Sequence, residues 1–124
     1  MKKIDLHIHT VQSISDKHFD FSLDSLKEYV EKLEIDCIAI TNHNLFDKPQ
    51  FELIVQTLSI KVFPGIEIDL ESGHILLISE NEELDDFALK CKKVTDLIKT
   101  NTDSISYEKL IEIFPLLNKY LLIP

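Results

Sequence analysis

Glycine and proline are scarce in this chain of 124 residues, two of the first and four of the second. That leaves little room for flexible linkers or low-complexity segments. Basic residues are in deficit. Thirteen Lys and Arg against 22 Asp and Glu give a formal charge of −9, which argues against a broad nucleic-acid or anionic-membrane footprint, since either needs clustered cations. A local contact with a phosphodiester stays compatible with this charge where bound cations offset it. No apolar run approaches the ~20 residues of a membrane helix, and nothing at the N-terminus has the form of a signal peptide. Cys37 and Cys91, the two cysteines, are too far apart for a CxxC site. Cys37 lies in the apolar run CIAI and is expected to be a buried, reduced thiol. A cytoplasmic location is the default expectation. There is no internal repeat, and the length suits one domain at most, domains commonly running to about 100–150 residues. Hydrophobic content, 44%, is ordinary for a chain that buries a core.

What is present alternates between two periods. KKIDLHI (2–8) places Ile4, Leu6 and Ile8 on one face and Asp5, His7 and His9 on the other, which is strand periodicity. From Leu23 the apolar positions become Leu26, Tyr29, Val30 and Leu33, a helical stripe with Ser22 as N-cap and Asp24 in the first turn. DCIAIT (36–41) is the continuous apolar run of a strand covered on both faces. The spacing predicts a second helix over 48–58, strands over 60–66 and 74–79, and a long helix over 82–100. A short helix over 107–114 and a last strand over 120–123 complete the pattern. Strands alternating with helices predict an α/β chain with a parallel sheet or part of a barrel, whose site gathers at the carboxyl ends of the strands.

Polar residues cluster where that rule puts them. The first strand ends in His7-Ile8-His9, the second in Thr41-Asn42-His43-Asn44. In VFPGIEID, Glu67 stands just past Gly65, and another strand opens with Gly73-His74. Asp16 lies in the loop after the first strand, whereas His18 is expected on the surface. Such a set suits divalent-metal binding. Residues i and i+2 of a strand project from one face, so His7 and His9 can reach one ion from a rigid backbone. A carboxylate can bridge two ions, which makes Glu67 the natural central ligand. Imidazoles favour zinc, iron or manganese over magnesium or calcium. No Ser or Cys nucleophile stands out. The charged runs EKLEID, ENEELDD and KCKK are expected as solvated helix faces and ends.

These motifs resemble, in order and spacing, the N-terminal part of the PHP (polymerase and histidinol phosphatase) domain family of metal-dependent phosphoesterases. The opening D-L-H-x-H-T/S is seen as DLHIHT (5–10), the S-D pair as Ser15-Asp16 and I-T-D-H-[DN] as ITNHN (40–44). P-G-x-E is seen as PGIE (64–67), and H-[IL]-L within HILLI (74–78). The resemblance implies a distorted, TIM-like (β/α)7 barrel holding up to three divalent ions (Zn, Mn or Fe). It implies His7, His9 and Glu67 as ligands of a first ion, Glu67 bridging to a second that also takes His74, and Asp16 and His43 as ligands of a third. It further implies a hydrolase: phosphomonoesters or phosphodiesters cleaved by metal-activated water, with a phosphorylated small molecule, nucleotide or nucleic-acid end as substrate and no membrane partner.

Two departures accompany the resemblance. Asn42 stands where the family usually has aspartate, which removes a charge but leaves His43 in place. The family also continues with a further histidine after a strand ending in I-P or a similar pair, and later with a D-x-H motif. The chain stops at LLIP (121–124), so three expected ligands have no counterpart, and about five strands stand where the family has seven. A parallel sheet stopped part-way leaves an open edge and an uncovered face. The expectation is therefore the N-terminal portion of a single PHP-like domain, over 1–124: a fragment of a longer enzyme, a degenerate member, or a chain that completes its barrel by association. The alternative function is a non-catalytic scaffold or partner-binding module, as at the head of a larger ATPase-containing protein. A weaker third is a related metal hydrolase acting on a C–N bond.

Overall fold

Five strands form one sheet in the order β1-β2-β3-β4-β5: β1 (Ile4–Ile8), β2 (Cys37–Ile40), β3 (Lys61–Leu70), β4 (Gly73–Ser79) and β5 (Tyr120–Ile123). The helices are α1 (Leu23–Lys32), α2 (Lys48–Thr57), α3 (Leu84–Leu97) and α4 (Tyr107–Ile113). The structure, a computed structural model, describes residues 1–11, 20–80 and 82–124. Helix starts follow their caps. Ser22 accepts from the Ser25 N–H, Asp47 from that of Gln50 and Ser106 from that of Lys109, each satisfying one of the donors a first helical turn leaves unpaired.

The parallel sheet expected from strand–helix alternation holds for β1, β2 and β3 only; β4 is antiparallel to β3, and β5 to β4. The reason is the length of the connections. Only Glu71 and Ser72 separate the paired residues Leu70 and Gly73, and a parallel return needs a crossover of about a dozen residues. Gly73 closes this hairpin at φ 134°, a backbone region closed to side-chain-bearing residues. Beyond β4, α3 runs to the carboxyl-end rim of β1–β3, where Thr95 donates to the Asn44 carbonyl at 2.7 Å. Ile105 then pairs with Leu70. α4 brings the chain back, so that Tyr120 begins β5 opposite Ser79, where β4 ends.

Among the described residues, α1 to α4 all pack on one face of the sheet. Ile38, Ile40 and Val62 join Leu26, Val30, Phe51, Ile54 and Leu58 from α1, α2 and its C-cap in one apolar cluster. Ile66, Ile68 and Leu77 join Phe87, Cys91, Val94, Leu110 and Phe114 in another. The stripes are narrower than the spacing predicts, since Tyr29, Leu33 and Val55 stay exposed. The opposite, inner face carries Leu6, Cys37, Phe63, Ile78 and Leu121 around one open cavity. Ile4 and Leu121 are exposed there, and Cys37 is half-buried rather than buried. Gly65 is where β3 passes closest to its neighbours: a Cβ would lie 2.8 Å from Thr41 Cγ2, 3.1 Å from the Leu77 oxygen and 3.2 Å from the Ile40 oxygen.

β1 departs from simple alternation. Asp5 pairs with Ile38 but Ile8 with Ile40, so Leu6 and His7 stand against Ala39 alone, and the strand is bulged. Asp5 is thereby on the helical face, accepting from the Tyr29 hydroxyl at 2.6 Å, and does not share a face with His7 and His9. The His7 N–H turns to the Asp5 carboxylate at 3.1 Å. Past the bulge Ile8 packs into the α1–α2 cluster, and His7 and His9 face inward beside Glu67.

Candidate metal centre

Glu67 lies inside β3, because that strand runs on to Leu70 rather than stopping near Ile66. Two sets of backbone pairs prolong it, the antiparallel ladder with β4 as far as Leu70 and bonds to the segment after β2. The Glu67 N–H donates to the Asn42 carbonyl at 2.9 Å, and the Asn44 N–H to the Glu67 carbonyl at 2.7 Å. Alternation then carries Glu67 and Asp69 to the inner face together. Glu67 Oε1 is 3.1 Å from His7 Nε2 and 2.9 Å from His9 Nε2, and 4.0 Å from His43 Nδ1. The Glu67 side chain is nearly buried, while that of His7 is 50% exposed, so the group opens to solvent on its β1 side.

His74 is the first inward residue of β4. Because β4 is antiparallel, its start lies beside the end of β3, directly opposite Asp69, so a strand-opening histidine reaches the carboxyl-end rim. Asp69 Oδ1 is 2.6 Å from His43 Nε2 and 2.5 Å from His74 Nδ1. Burial pushes the Asp69 carboxyl up, but hydrogen bonds from His43, Asn44 and His74 and the charge of His43 outweigh it, leaving it below the ordinary carboxylate value. In each of the groups His7–His9–Glu67 and His43–Asp69–His74, one ligand atom per residue lies within 4.8 Å of the others. Two imidazoles and a carboxylate fit zinc, manganese or iron. An open cavity of about 370 Å³ lined by His7, Glu67, His74, Leu76 and Ile123 adjoins the groups.

The structure thus brings His7, His9, His43, Glu67 and His74 to one rim; Asp16 and His18 lie outside the described residues. Asp69 was not anticipated, although Glu67 and Asp69 at i and i+2 carry the same signal as His7 and His9. Asn44 and Asn42 brace this rim. Asn44, at φ 57°, donates its side-chain amide to Asp69 Oδ2 at 3.0 Å and accepts the Asp69 N–H at 2.9 Å. Asn42, 2% exposed, accepts the N–H groups of Thr10 and Val11 at 2.6 and 3.1 Å and donates to Thr10 Oγ1 at 3.0 Å. The Thr10 hydroxyl donates in turn to Gln50, whose amide returns to the Thr10 carbonyl at 2.7 Å. Asn42 therefore fixes the end of β1 through hydrogen bonds.

A family profile described as "PHP domain" matches residues 5–120. Comparison with curated proteins gives no match. Among solved structures, the fold is similar to that of a "putative metal-dependent phosphoesterase" from Bifidobacterium adolescentis, with TM-score 0.52 and 18% sequence identity over 74% of this chain. The chain spans about a third of that structure, 32% of its length. With the profile covering nearly all of it, from the first strand to the last, this chain belongs to the PHP domain family.

Proposed function

We propose that this chain forms the N-terminal portion of a metal-dependent phosphoesterase domain that hydrolyses phosphomonoesters or phosphodiesters. One observation carries the proposal: His7 Nε2, His9 Nε2 and Glu67 Oε1 converge within hydrogen-bonding distance on the inner face of β1 and β3. His7, His9 and Glu67 would hold one ion, and His43 and His74 contribute to others, with Asp16 as a further ligand. Divalent ions held there would supply an activated water and positive charge against phosphate oxygens. This chain's own residues do the rest. The bulge in β1 sets both imidazoles on the inner face. Glu67 is fixed through its backbone to Asn42 and Asn44, and the cavity beside His7 and His74 is open to a phosphate-bearing substrate. The acidity of the chain as a whole, −9, favours substrates that present a phosphate end over long polyanions. Among the described residues no helix is long and apolar enough to cross a membrane. The uncovered inner face supports a further part of the proposal: additional strands of a longer chain, or a second copy, complete the barrel.

The test is hydrolysis of p-nitrophenyl phosphate and bis-p-nitrophenyl phosphate with added Mn²⁺ or Zn²⁺, for the chain and for a His7→Ala/His9→Ala variant, together with elemental analysis. Activity that rises with metal in the wild type and is lost in the variant is expected. Metal uptake without hydrolysis of either ester would favour a partner-binding module instead.

A further inference from the structure

Asp69 meets two histidines with a single oxygen, and it meets them through different ring atoms. Its Oδ1 is 2.6 Å from His43 Nε2 and 2.5 Å from His74 Nδ1. Those separations are hydrogen bonds rather than edges of a coordination shell. Atoms bound to one ion at about 2.0–2.1 Å stand roughly 3 Å or more from each other, as Glu67 Oε1 does from His7 and His9, at 3.1 and 2.9 Å. An ionised carboxylate oxygen only accepts, so both ring nitrogens that reach Asp69 carry protons. In a neutral ring the other nitrogen then holds the lone pair that an ion needs. For His43 that atom is Nδ1, 4.0 Å from Glu67 Oε1; for His74 it is Nε2. The two rings, with centroids 5.5 Å apart and planes at 77°, are thus set in opposite tautomers by one atom.

Asp69 is itself held in place. Its side chain is 12% exposed, its Oδ2 accepts from the Asn44 side chain, and its N–H donates to that same side chain. Asn44 is anchored in turn to α3 through Thr95. The His74 side chain is 61% exposed, so packing contributes little to the orientation of its ring.

We infer that Asp69 is a positioning residue of the proposed metal centre and not one of its ligands. It holds His43 as the Nε2–H tautomer and His74 as the Nδ1–H tautomer, which presents His43 Nδ1 and His74 Nε2 to divalent ions. The inference deepens the metal-dependent reading and rests on it. Glu67 stays the shared carboxylate, and Asp69 aims the two later histidines. A carboxylate behind a ligating imidazole fixes its tautomer and ring orientation and raises its basicity; Asp69 does so for two rings at once.

The experiment reads the ring protons directly, from long-range ¹H–¹⁵N correlation spectra of the labelled chain above the imidazole titration range. Spectra are taken before and after Zn²⁺ addition, with Zn²⁺ uptake measured alongside by equilibrium dialysis. Before addition, His43 is expected to be protonated on Nε2 and His74 on Nδ1. With Zn²⁺, His43 Nδ1 and His74 Nε2 should take the shifts of metal-bound nitrogen while both protons stay. Asp69→Ala should return the two rings to mixed tautomers and weaken uptake there by about 10–100-fold without abolishing it. His74→Ala should leave the His43 tautomer as in the wild type. The wild-type spectrum decides the matter even if Asp69→Ala fails to fold. His43 protonated on Nδ1, His74 protonated on Nε2, or unchanged tautomers in a folded Asp69→Ala variant overturns the inference and leaves the metal reading standing. The expected tautomers in a chain that takes up no Zn²⁺ overturn the metal reading, and with it the role of Asp69.

Discussion

At the scale of single residues, uncharged amides brace the candidate site. Asn42 is an uncharged side chain at a buried position and works by direction: its carbonyl oxygen receives two backbone N–H groups and its NH₂ donates to Thr10, whose own proton goes to Gln50. An Asn42→Ala variant leaves the Thr10 N–H buried without its acceptor. It should lower stability by about 1–3 kcal/mol, seen as a reduced urea midpoint at unchanged slope. A midpoint equal to that of the wild type would show that the amide network does not hold the end of β1. Asn44 acts through its backbone too: the left-handed region it occupies is one asparagine tolerates better than most residues, and the turn it makes lets its side chain meet Asp69.

Among elements, β5 is held by a polar clasp in addition to its pairing with β4. Tyr120 donates to Glu82, and Lys90 donates to Glu82 at 2.5 Å and to the Tyr120 oxygen at 3.2 Å, linking β5 to α3 and to the segment before it. Burial, and next the hydrogen bond to Glu82, push the Tyr120 phenol up to about 12. A raised folded-state value favours the neutral phenol, so its contribution is complete below the ordinary value of 10.0 and is lost as pH rises through about 12. Denaturant midpoints measured between these limits should therefore fall more steeply for wild type than for Tyr120→Phe. Parallel curves for the two proteins would exclude the clasp as the source.

For the whole molecule, the decisive feature is that, among the described residues, helices cover one face of the sheet only. The inner face presents the two candidate ligand groups at its carboxyl-end rim and an apolar floor below them, with Ile4 60% and Leu121 52% exposed. Exposed apolar floor of this kind drives association. The chain by itself should self-associate with rising concentration in sedimentation equilibrium, and Leu121→Lys should shift it toward monomer. A wild-type chain monomeric throughout would remove the argument that this face seeks a cover.

The sequence by itself determined the elements and most of the site. The helical stripes, the caps at Ser22 and Asp47, and the clustering of His7, His9, His43, Glu67 and His74 at strand ends are local signals, legible because period and chemistry are written in neighbouring residues. Tertiary structure decided what depends on pairing between distant segments. The bulge that turns Asp5 away from His7 exists only against β2. The extension of β3 past Ile66, which places Asp69 beside His43, rests on its ladder with β4 and on the pairing of Asn42 and Asn44 with Glu67. The two-residue turn before Gly73 reverses β4 and delivers His74 to the rim. Each is a register set by hydrogen bonds between strands, and a one-residue change in register moves a side chain to the other face.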